Sequence, residues 1–164
     1  MSGKFYGADT FRPRLIVTQM AVMQSGFWLA FAALVASAQL ALGQPPGLWQ
    51  LFRSGDYTWE TATGCTLAVC LWATALTMAV ALRYVVERAK KCLDFVFTYH
   101  FFHFIATCFT SGFPAVFQWW AIQVIALLIA VFLGEYICMQ AETKAIQLSS
   151  KPSKKLEMPA FQDV

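Results

Sequence analysis

Four ionisable residues lie within or beside long apolar runs: Asp94, His100, His103 and Glu135. On insertion scales an Asp, Lys or Arg at the centre of a bilayer costs about 2.5 to 3.5 kcal/mol, so such groups are functional suspects until their depth is known. His100 and His103 stand at i and i+3, on one face of a helix, where two imidazoles could begin a metal site or a proton relay. A metal site needs a third or fourth ligand, and the nearest carboxylate, Asp94, is six residues from His100 and off that face. A relay would need a chain of intramembrane carboxylates that the sequence lacks. Hydrogen bonding inside a helical bundle suits the pair better. Gln123 is the natural partner, eleven residues after Gly112 where His100 is twelve before it, and Gln19 and Gln24 are further inward-facing candidates.

Depth separates the two carboxylates from the histidines. Counted from Gly112, Asp94 is 18 residues back and Glu135 is 23 forward, so at ~1.5 Å per residue both approach the same membrane surface. Next to them runs a basic cluster, Arg83, Arg88, Lys90 and Lys91. Interfacial anchoring is the plain reading of these charges. The sharper one is that Asp94 and Glu135, with Arg88, Lys90 and Lys91, form a mouth that receives a partner's peptide. Cys92 and Cys138 occupy juxtamembrane positions where S-acylation occurs, and simple packing is the competing account.

Other chemistry finds no foothold. There is no GxSxG, H-E-x-x-H, phosphate loop or Rossmann glycine pattern, so no residue is expected to be catalytic or to hold a cofactor. Five cysteines with no CxxC pair argue against a zinc site or a disulfide framework. A net charge of +3 clustered beside apolar spans points to a membrane surface rather than to nucleic acid.

The elements that must position these groups are membrane helices. The chain is 59% hydrophobic and only 13% charged, against about 25% charged in a soluble domain. Apolar runs at about 15–42, 61–82, 93–111 and 114–136 each approach the ~20 residues that a helix needs to cross ~30 Å of hydrocarbon. The third run alternates aromatic residues from Phe95 to Phe101 like a strand, but an open strand in lipid leaves its backbone unpaired, so helix is expected. Ser111-Gly112-Phe113-Pro114 makes the last two spans an antiparallel hairpin, with Pro114 in the first turn of the fourth. Gln44-Pro45-Pro46-Gly47 ends the first span and opens a loop whose Trp49, Tyr57 and Trp59 suit the headgroup level. Ala33, Ser37 and Ala41 form a small-residue stripe fit for helix packing.

Of the twelve Lys and Arg, all but Arg53 fall in 1–14, 83–91 or after 140, which by the positive-inside rule predicts four spans with both termini cytosolic. The expected organisation is thus an all-α integral membrane protein. It is a four-helix transmembrane bundle over 15–137, with a polar N-terminal segment (1–14) and a largely disordered basic tail (138–164).

Several stretches, taken together and in order, resemble the Sys family of four-span Golgi membrane proteins. They are Lys91-Cys92-Leu93-Asp94-Phe95, Tyr99-His100-Phe101-Phe102-His103, Phe113-Pro114, Trp119-Trp120, Gln123, Gly134-Glu135-Tyr136-Ile137-Cys138-Met139 and Glu142-Thr143-Lys144. The front half matches more loosely, through Pro13, Leu15-Ile16, Gln19 and Met23-Gln24, and carries a basic Phe11-Arg12-Pro13-Arg14 where relatives are expected to be acidic before the proline. The resemblance implies a non-enzymatic receptor at the trans-Golgi network. It would recruit an Arf-related (Arl-type) small GTPase that docks through its acetylated N-terminal segment, supporting golgin tethering and endosome-to-Golgi traffic. The alternatives from the residues alone are a small transporter or channel subunit using the His pair as a polar pathway, and a purely structural scaffold. Oligomeric state is not legible.

Overall fold

Four long helices form because four apolar runs must satisfy every backbone N–H and C=O internally. The structure, a computed structural model, describes residues 13–86 and 89–150, with side chains through Lys144. The expected N-terminal segment up to residue 12, Arg88, and the tail from 151 lie outside the described residues. The helices are α1 (Pro13–Ala41), α2 (Ala62–Val85), α3 (Cys92–Ser111) and α4 (Phe117–Ser150). All four are long and apolar enough to cross a membrane. Each packs closely on two others, in the ring order α1, α2, α4, α3, with the α2–α4 contact the most extensive. One end of the bundle holds the 43–60 and 112–116 connections. The other, basic end holds the 86–91 link, the start of α1 and the late part of α4.

Surface composition agrees with lipid as the solvent. Leu29 is 74% exposed, Phe132 67% and Phe109 88%, side chains that water would drive together but that hydrocarbon accepts. The buried stripe of α1 is Met23, Phe27, Phe31, Val35 and Gln39, one residue per turn. The expected packing stripe of Ala33, Ser37 and Ala41 faces outward instead. Aromatic side chains on the opposite face fill the interior better than three small ones, and Phe27 stacks on Tyr99 of α3 at 4.7 Å.

The fourth helix departs from expectation at both ends. It starts at Phe117, leaving Pro114 in the connection, where the Pro114 carbonyl accepts from Trp120 Nε1 at 2.9 Å. Gly112 at φ +79° makes the turn out of α3, a region open to glycine. At its other end α4 does not stop at 136–137 but runs to Ser150, so the first part of the expected disordered tail is helical. The physical reason is composition: after Gly134 there is no glycine or proline until Pro152, and Glu142, Lys144 and Ala145 all favour helix. Its 34 residues measure about 51 Å, well over the bilayer core, so α4 must tilt or project.

The long loop is folded rather than merely interfacial. Gly43, at φ +69°, ends α1, and the Gln44 N–H bonds back to the Gln39 carbonyl at 2.9 Å. Gln39 is buried; its Oε1 accepts from the Gly47 N–H at 2.7 Å and its amide donates to Gln50. Short 3-10 turns at Leu48–Leu51 and Ser54–Asp56 follow. Trp49 is 77% exposed, as a headgroup-level indole should be. Tyr57 is not: it is fully buried, donating to the Leu51 carbonyl at 2.9 Å, and burial pushes its hydroxyl pKa up. Replacing Tyr57→Phe removes one buried hydrogen bond and leaves that carbonyl unpaired. The expected cost is about 1 to 2 kcal/mol, measurable as a lowered unfolding midpoint in micelles.

The loop is also tied to α3. Ser111 Oγ donates to the Phe52 carbonyl at 3.0 Å and accepts from the Ser54 N–H at 3.3 Å. On α2, Thr61 caps the helix by accepting from the Gly64 N–H at 3.1 Å. Thr66, Thr74 and Thr77 bond back to their own helix carbonyls, as threonines in apolar helices do.

Candidate functional site

The candidate residues fall into two groups, one at the basic end and one in the bundle interior. At the basic end the α2–α3 link is held by α4: Glu142 Oε1 accepts from the Ala89 N–H at 3.1 Å. On the other side, Gln19 of α1 donates to the Val85 carbonyl at 2.6 Å. The link is therefore held by α4 at Ala89, and the end of α2 just before it by α1 at Val85, neither of which the sequence reading assigned. The Glu142 signal was present in the spacing. Glu135, Cys138 and Glu142 are three and four residues apart, one face of α4.

Asp94 and Glu135, expected to line a mouth for a partner's peptide, stand on α3 and α4 at the basic end. Asp94 is exposed at the first turn of α3 and Glu135 is half-buried on α4. The one ion pair among the described residues is Arg53–Asp56, at 3.9 Å and at the opposite end. Lys90 and Lys91 are both exposed, and neither is paired with a carboxylate among the described residues. Asp94 keeps a favourable place all the same, an acid in the first turn of a helix. The basic end thus presents charged groups of both signs to solvent or to a partner.

The two juxtamembrane cysteines face each other. Cys92 and Cys138 are both fully buried, with their sulfurs 3.7 Å apart between α3 and α4. In this arrangement the pair packs α3 against α4, and an acyl chain on either sulfur would have to part the two helices.

In the interior, His100 Nδ1 lies 3.1 Å from Gln123 Oε1. This is the pair whose depths match in the sequence. His103 is completely buried in an aromatic enclosure. Trp28 lies 5.2 Å from its ring, Phe27 5.8 Å and Phe31 6.0 Å, and Trp119 stacks at 6.3 Å. Neither nitrogen of His103 has a hydrogen-bond partner, and the same is true of the Gln24 amide and the Tyr99 hydroxyl. Gln24 does turn inward, half-buried beside this enclosure. No group of three or more His, Cys, Asp or Glu side chains that could hold a metal occurs among the described residues. Sequence reasoning passed over Tyr99 and Trp119 as members of this interior because aromatic residues are frequent throughout the third and fourth spans.

Comparison with other proteins places this arrangement. The family described as "SYS1: Integral membrane protein S linking to the trans Golgi network" matches residues 6–148. A Nematostella vectensis protein named "Protein SYS1 homolog" is 32% identical over 150 residues, 92% of this chain and 96% of that protein. A Dictyostelium discoideum protein of the same name is 33% identical over 144 residues, 88% of this chain and 62% of that longer protein. No solved structure matches the chain. With four membrane-length helices and a match across nearly the whole sequence, the chain belongs to the SYS1 family of integral membrane proteins.

Proposed function

We propose that this protein is a non-enzymatic membrane receptor of the trans-Golgi network. It recruits an Arf-related small GTPase through that partner's acetylated N-terminal segment, and so supports golgin tethering and endosome-to-Golgi transport. The observation that carries the reading is the family match over residues 6–148, whose description links the family to the trans-Golgi network. The architecture supports it physically. The beginning of α1, the 86–91 link and the end of α4 all lie at one end of the bundle, and by the positive-inside rule that end is cytosolic.

A GTPase tethered only by an amphipathic N-terminal helix binds membrane weakly and reversibly, and a second contact lengthens its residence through effective concentration. The basic end supplies groups for such a contact: Asp94 and Lys91 exposed, Glu135 half-buried, and the α4 extension beyond Cys138. Arg88, also assigned to this surface, lies outside the described residues.

The test is co-flotation of a GTP-loaded Arf-related GTPase with liposomes carrying the full chain. Binding above that of protein-free liposomes is expected, with loss when the N-terminal segment is removed. Asp94→Lys with Glu135→Lys should weaken it by about tenfold, through like-charge contacts. Equal flotation on protein-free liposomes would overturn the assignment. Ion or solute flux through the same liposomes, without GTPase binding, would favour a transporter instead.

A further inference from the structure

Between α3 and α4, open to the surrounding lipid, lies a groove of about 360 Å³. Its walls are apolar, with Phe97, Phe101 and Phe104 on one side and Trp120 and Leu127 on the other. Its floor is not. His100, Trp119 and Gln123 also line it, each at least nine-tenths buried, and each has a polar atom without a hydrogen-bond partner: His100 Nε2, Trp119 Nε1 and Gln123 Nε2. In water such atoms would be solvated, but at this depth no water is at hand, and an unpaired buried polar group is costly.

The chemistry of the missing partner follows from the pairing already present. A glutamine oxygen only accepts, so in the His100–Gln123 contact the imidazole Nδ1 carries the proton and Nε2 is left as an acceptor. These atoms lie just beneath the groove's surface rather than open to it, so a ligand reaches them as the side chains above give way; what it meets there is one acceptor, His100 Nε2, and donors from the Gln123 amide and the Trp119 indole. A hydroxyl fits this set, donating to the imidazole and accepting from the amide or indole; a ketone or ester could use the donors alone. His100 is eight residues into α3, about 12 Å below its basic end, which is too deep for a phosphate or choline headgroup.

We propose that this groove is a binding site for an uncharged lipid alcohol, its hydroxyl held by His100, Gln123 and Trp119 and its body laid along the aromatic walls. The chemistry is shared by sterols and diacylglycerols, and the experiment separates them. Full-length protein in nanodiscs is labelled with a photoreactive sterol and, separately, a photoreactive diacylglycerol. Competition is by the unlabelled lipid and by the 3-keto form of the sterol, which lacks the hydroxyl.

The expected result is saturable labelling of α3 and α4 peptides by one of the two probes. Gln123→Leu should weaken binding about tenfold, the loss of one buried hydrogen bond. Val124→Trp, which fills the groove from a half-exposed position without touching the polar floor, should abolish it. If the sterol is the ligand, its keto form should compete poorly. The bound lipid should also raise the thermal midpoint of the unmodified chain but not of Val124→Trp. Labelling by both probes that does not saturate, or that is the same in all three proteins, would show only ordinary surrounding lipid and overturn the proposal.

Discussion

Gly64→Ala should be among the most damaging single substitutions in this protein, costing about 3 kcal/mol. A Cβ at position 64 would sit 2.1 Å from the Thr58 carbonyl oxygen, 2.6 Å from the Thr58 nitrogen and 2.7 Å from the Asp56 carbonyl oxygen. All three are backbone atoms, so no side-chain rotation relieves the clash. The 56–58 segment would have to move, unseating the buried Tyr57 and disturbing the Thr61 cap at the start of α2. Gly55→Ala is the matched control, since nothing lies within 4 Å of its added methyl. Unfolding in micelles should show a large loss for Gly64→Ala and a change within about 0.5 kcal/mol for Gly55→Ala. Similar midpoints for the two would mean that the loop does not pack on α2 as described.

The second large effect is expected where α2 and α4 cross. A Cβ on Gly134 would meet Leu82 Cδ1 at 2.7 Å and Ala79 Cα at 3.9 Å. In lipid, apolar side chains gain little by leaving an equally apolar solvent, so close approach of the helix backbones carries the association. Leu82 is fully buried, but the obstructing atom is the end of its flexible side chain, so Gly134→Ala should cost only about 1 kcal/mol. Gly134→Leu has no such escape. It should push the helices apart and cost about 3 kcal/mol, lowering the amount of folded protein recovered from membranes. The pair should also couple: in a double-mutant cycle, Gly134→Ala should be tolerated better with Leu82→Ala than alone, by about 0.5 to 1 kcal/mol. Strict additivity would place the contact elsewhere.

Neither glycine stood out in the sequence. Gly64 looks like any residue at the start of a Thr-rich span, and Gly134 was quoted only as part of a family motif. Both are defined by what lies opposite them, which requires the tertiary arrangement. What hydropathy and charge could carry was legible: four spans, a hairpin at Ser111 to Pro114, and a basic link, expected over 83–91 and found over 86–91 because Arg83 still belongs to the last turn of α2. The His100–Gln123 pairing was also legible, because two helices joined by a short turn have fixed relative depths, and depth is a matter of counting. Which face of a helix turns inward was not. Small residues suggested the 33, 37, 41 face of α1, whereas the aromatic face at 27 and 31 had Tyr99 and His103 to meet and is the one buried. The extent of α4 was misjudged for a different reason. Polarity rises after Cys138, and polarity marks the end of the membrane rather than the end of a helix.

The proposed receptor role requires the start of α1, the late part of α4 and the 86–91 link, which share one end of the bundle, to face the cytosol. Its most direct test is topology mapping of the full chain in sealed Golgi vesicles, with a tag at each terminus and a single reporter cysteine at Gly55 in the long loop. The account predicts that both tags are digested by added protease without detergent, while a cysteine at position 55 is labelled by a membrane-impermeant reagent only after the membrane is opened. A protected C-terminal tag, or a loop cysteine labelled in intact vesicles, would contradict it.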